Sequence, residues 1–193
     1  EIDTLVAWAA KGAPEGLEKD RPAPVTFVDG WTIGKPDIVV SFPKPVEIPA
    51  TGNVDQANLV VKAHFEKDMW VKAAEVRPGN PKVVHHMKAW IRPPNSNWLR
   101  NAPDGVMYWP KRGDGSDGQA PELQFVGNGP RPMQDILAKY NPGVEGQNFT
   151  VGGAAKFIAA GSDIVFEIHY ATTGKPETDQ SSVGIVLADR EPQ

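Results

Sequence analysis

The chain contains no cysteine. That excludes disulfides, iron–sulfur clusters, thiolate-bound zinc and blue-copper chemistry, and it leaves the redox compartment open. Histidine is scarce, with four residues in 193. No apolar run approaches the roughly 18 residues of a membrane-spanning helix, and Glu1 opens directly into a helix-like segment, without a signal peptide. The net charge of −4 comes without a Lys/Arg-rich stretch, which excludes the usual electrostatic footprint of a nucleic-acid binder. A Gly-x-Ser-x-Gly elbow, a phosphate loop, a dinucleotide fingerprint and internal repeats are all missing.

What is present points to a β protein. Apolar residues make up 40% of the chain, enough for the core of one substantial domain. The 19 glycines and 19 prolines suit a loop-rich all-β fold better than a helical one. Ile2, Leu5, Val6 and Ala9 recur at helical spacing, so residues 2–11 are predicted as a short amphipathic helix that stops at Gly12. A Pro/Gly/charge linker runs over 13–24 and separates an N-terminal unit, 1–24, from a domain at 25–193. Short β-type runs then follow at 37–42, 46–48, 58–65, 70–76, 83–91, 156–159, 163–170 and 183–187. Many short strands between Gly/Pro turns predict an antiparallel β-sandwich or jelly roll. A weak helix is expected at 133–140. The irregular stretch 92–121 carries Asp114-Gly115-Ser116-Asp117-Gly118, which lacks the ligand spacing and closing glutamate of a calcium loop. The Asn148-Phe149-Thr150 tripeptide fits a glycosylation pattern that counts only in a glycosylating host.

Three of the four histidines fall in predicted strands: His85 and His86 side by side, and His169 about eighty residues later. Neutral imidazole is the commonest protein metal ligand, and three together suit zinc, copper, iron or nickel. Neighbours on a regular strand point to opposite faces, so His85 and His86 reach one ion only through a β-bulge or a distorted strand end. His169 shares a face with Val165 and Glu167, opposite Ile164, Phe166 and Ile168. The competing interpretation is hydrogen-bonded histidines on a sheet surface. His64 has no such company and reads as a surface residue. Glu75 and Glu167 are acid/base candidates, with solvent-facing strand glutamates as the default. Trp98, Tyr108 and Trp109 are candidates for an aromatic binding platform.

The stretch Val83-Val84-His85-His86-Met87, with 71–77 before it, resembles the copper type II, ascorbate-dependent monooxygenases, the family of peptidylglycine α-hydroxylating and dopamine β-monooxygenases. Val165-Phe166-Glu167-Ile168-His169-Tyr170 and Ser181-Ser182-Val183-Gly184-Ile185 continue the likeness, in the same order, over roughly 37–190. The resemblance is nearest to bacterial relatives in which a cytochrome-c-like domain precedes the copper domain, and 2–16 looks like the last helix of such a haem domain. It implies a jelly-roll-like domain holding one copper through His85, His86 and His169, which supplies an electron to a second copper domain where oxygen is activated. It also implies a second copper domain or redox partner, and a periplasmic or extracellular setting. The second site's His-x-His pair, the haem-binding Cys-x-x-Cys-His and the family's disulfides have no counterpart here. A complete chain of this kind is therefore not expected to hydroxylate unaided. Two other classes stand beside this one. The first is a non-catalytic, self-associating β-sandwich subunit of a surface or extracellular assembly, with the metal as a staple. The second is a three-histidine zinc hydrolase or lyase with an activated water at an open fourth position.

Overall fold

A computed structural model describes residues 1–24, 28–52, 54–109, 135–144 and 146–192. The chain enters through helix α1 (Ile2–Ala10), which buries none of its residues. The strands follow: β1 (Ile38–Ser41), β2 (Val46–Ile48), β3 (Val54–Val61), β4 (Met69–Arg77), β5 (Val84–Arg92) and β6 (Met107–Tyr108). Then come β7 (Asp135–Tyr140), β8 (Gln147–Asn148), β9 (Lys156–Ile158), β10 (Asp163–Tyr170), β11 (Glu177–Asp179) and β12 (Ser182–Leu187). No helix among the described residues is long and apolar enough to cross a membrane.

The strands form two antiparallel sheets. One runs β6-β3-β10-β5-β7; the other runs β1-β12-β4-β8, with β9 also on β4. A two-stranded ribbon, β11-β2, accompanies them. Alternation explains why they pack face to face: Ile164, Phe166, Ile168 and Tyr170 of β10 point one way and are buried with Val71, Ala74, Val76, Val183 and Ile185 of the other sheet. Phe42 meets the Phe166 ring edge-on, 4.9 Å between centroids. The predicted all-β sandwich with a short N-terminal helix is the observed architecture.

Some elements differ from expectation. The helix expected at 133–140 is strand β7 where it is described, from Asp135 onward, hydrogen-bonded along β5 from Met87↔Tyr140 to Ile91↔Asp135. Pairing with β5 overrode a weak local helix signal, and a register shift that leaves Leu137 as the extra residue lets Leu137 and Ala138 both be buried. Strand β3 begins at Val54 rather than 58. The 114–118 segment lies outside the described residues.

The outer face of the β4/β12 sheet is covered by the stretch around Trp31. Glu75, a buried carboxylate on β4, accepts hydrogen bonds from Thr32 N (2.6 Å), Thr32 Oγ1 (2.8 Å) and Ile33 N (3.3 Å). Gly184 is required beneath it: a Cβ there would lie 2.9 Å from the Trp31 ring. Glu75 is therefore a structural anchor and not the acid/base group considered from sequence.

Candidate metal centre

The centre is made by a register shift. Along β10 and β5 the pairing runs Ile168↔Met87 and His169↔His86, then jumps to Tyr170↔Val84. His85 is the extra residue, so two residues of β5 oppose one of β10. The burial of β5 records the same event. Val84, Met87, Ala89 and Ile91 are buried, while His85 and His86 in succession are not. A β-bulge of this kind re-aims a side chain beside a functional site. Here it turns both histidines to the face that carries His169.

Strand β3, on the other side of β10, bulges at the same level. Its pairing jumps from Ile168↔Ala57 to Tyr170↔Val54, so two residues of β3 also oppose His169. Gln56, inside this bulge, has φ +44, a left-handed conformation that few L-residues adopt. His169 thus sits on the one regular strand between two bulged neighbours.

The rings are close. Centroid separations are 5.1 Å for His85–His86, 5.3 Å for His85–His169 and 4.6 Å for His86–His169. One nitrogen from each lies within 4.8 Å of the others. The Nδ1 atoms of His85 and His86 are 3.3 Å apart. Metal–imidazole bonds of about 2.0–2.1 Å at tetrahedral to trigonal angles put two ligand nitrogens about 3.3–3.6 Å apart. The adjacent pair already has that spacing, and a His169 ring nitrogen lies within 4.8 Å of both. The residues fit a metal ion.

At His86 the electrostatics favour the neutral, ligating form. His86 is held below its ordinary pKa of 6.5 by burial first, then by His169, His85 and Lys88, with Glu167 opposing. A charged imidazole would face two more imidazoles and an ammonium in partly desolvated surroundings, so the proton is disfavoured. The same face continues as a cleft of about 480 Å3, lined by Gln56, His86, Lys88, Glu167, Ile168 and His169. Lys88 Nζ donates to Glu167 Oε1 at 2.8 Å across the β5/β10 pair.

All three histidines singled out in the sequence are brought together, and His64 is not. It is exposed beyond the end of β3, at φ +50, at least about 15 Å along the strand from the level of His169. Trp98 is buried with Val60, Leu99 and Val165, Tyr108 packs against that small cluster, and Trp109 is half exposed. Sequence reasoning passed over Lys88 and Gln56. Alternation from His86 placed Lys88 on the site face, whereas Gln56 joins it only through the second bulge. No family model matches the chain, and no curated protein or solved structure does.

Proposed function

We propose that the three-histidine cluster is a type II copper site, in a domain that supplies single electrons to an oxygen-dependent hydroxylation completed on a second copper domain or subunit. The observation that carries this reading is the convergence of three imidazoles at a β-bulge, a donor set made of histidines alone among the described residues. Imidazole donors suit copper, and copper heads the divalent affinity order. The resemblance of the three sequence blocks to the copper monooxygenases supports copper over zinc.

When bound, copper would supply a Cu(II)/Cu(I) couple at this position. The chain's own contribution is positional. Two antiparallel strands hold His86 and His169 as direct cross-strand partners, and the bulge adds His85. His85 is exposed, which leaves one side of the centre open to a partner surface. A setting outside the cytoplasm, where a second copper domain would meet it, is part of the same proposal.

A zinc centre is the second reading. The 3.3 Å Nδ1–Nδ1 spacing favours it, because that is the edge of a tetrahedron with room for a fourth, water-derived ligand. The deciding experiment is competitive loading with copper and zinc, followed by electron paramagnetic resonance and a reductive titration. The copper reading expects an axial type II signal, abolished by a one-electron reductant and restored on reoxidation. Preferential zinc uptake, with ester hydrolysis or carbon dioxide hydration in the absence of any reductant, would replace it with the zinc reading.

A further inference from the structure

We propose that the cleft beside the histidines binds a small carboxylate or oxyanion, held between the bound ion and the Lys88 ammonium, with the Gln56 amide as a further contact. This rests on the metal-centre reading and adds to it the class of ligand the centre takes.

Three observations carry it. The cleft of about 480 Å3 opens on His86 and His169 and reaches Lys88 and Gln56, so a ligand there meets the ion, a cation and an amide at once. Among the described lining residues, Lys88 and Glu167 are the charged side chains and they pair with each other, so a bound copper ion would add positive charge that they do not balance. Glu167 engages one of the three Nζ donors of Lys88, at 2.8 Å, which orients the ammonium and leaves further donors for a ligand. Finally, Gln56 is kept at φ +44 and lines this cleft. That left-handed backbone belongs to the bulge that brings Gln56 level with the cluster of metal-type ligands.

The test uses the full chain loaded with Cu(II), titrated with azide and with formate, and followed by the azide charge-transfer band and the change in the paramagnetic resonance spectrum. Saturable binding is expected. Lys88→Met should weaken it roughly tenfold or more, the size of one lost charge-assisted hydrogen bond, and Lys88→Arg should restore most of it. The double variant Lys88→Gln/Glu167→Gln keeps the wild-type net charge. It should stay weak if Lys88 touches the anion, whereas wild-type affinity in it would mean that only net charge matters and would overturn the contact. Gln56→Gly should bind anion more weakly while unfolding at an equal or higher temperature, since glycine relieves the left-handed strain. Unchanged affinity in Lys88→Met, or copper-loaded wild type that ignores both anions, overturns the inference and leaves the metal centre standing. Failure to take up copper removes the metal reading itself, and this inference with it.

Discussion

Tyr170 follows His169 directly, and its conversion to phenylalanine separates what holds the strand from what holds the ion. The side chain is buried, and its hydroxyl donates to Asp179 Oδ2 at 2.8 Å. Ser181 Oγ donates to the same oxygen at 2.7 Å, and Asn80 N to Oδ1 at 2.8 Å. Tyr170→Phe keeps the ring in the core and removes one hydrogen bond to a charged acceptor, a change of about 1.5–3 kcal/mol. Because Asp179 keeps two donors, the loss should fall in the lower half of that range, about 1.5–2 kcal/mol. For a chain of this size that corresponds to about 3–8 °C in Tm. Urea denaturation of metal-free protein should show it as a lower midpoint with an unchanged slope.

The pH dependence gives a second readout. Burial, then the Asp179 charge, then the hydrogen bond to it, push the Tyr170 pKa well above its ordinary 10. The unfolded chain releases this proton near pH 10 and the folded chain does not. Stability from this group is therefore complete below pH 10 and is lost as pH rises above it. Tyr170→Phe should flatten that alkaline decline while leaving copper stoichiometry intact. A loss under about 0.5 kcal/mol, within the range of an ordinary surface substitution, together with an unchanged alkaline slope, would refute the role given to this network.

Deleting His85 removes the bulged residue but leaves His86↔His169 and Val84↔Tyr170 paired, so the domain should stay folded while copper affinity falls at least about 100-fold, measured by competition with a chelator. In metal-free protein, His86 should titrate below 6.5 by NMR. Between its lowered value and 6.5 the unfolded chain binds more protons, so its contribution to stability rises with pH across that window and is lost as pH falls. Glu75→Ala strands the Thr32 and Ile33 amides and should cost about 2–4 kcal/mol without altering metal content, as read by denaturation and elemental analysis. His64→Ala should leave copper stoichiometry unchanged.

Much of this was legible because strand chemistry is periodic. The alternation of Ile164, Phe166 and Ile168 against Val165, Glu167 and His169 gave β10 its span and its two faces, and both are observed. Two adjacent histidines in one strand-like run allowed a bulge or a distorted strand end, and the burial of both Val84 and Met87 shows the bulge. Less was legible where the signal is not local. Strand β7 exists because β5 offers it an edge, and its own sequence favours a helix weakly. The ribbon strand β11 is three residues long and reads as a turn until β2 pairs with it. Gln56 entered the site through a backbone distortion that no residue pattern announces. The Gly184 of the third family-like block proved to be a seat for Trp31, a matter of close approach across the sheet.

The most direct measurement is metal content of purified, copper-loaded protein by elemental analysis, beside His85→Ala, His86→Ala and His169→Ala variants that remain folded by circular dichroism. A centre built from all three imidazoles requires one copper per wild-type chain and a marked loss in each variant. Copper retained in full when His169 is gone, or several ions bound without preference, would contradict it.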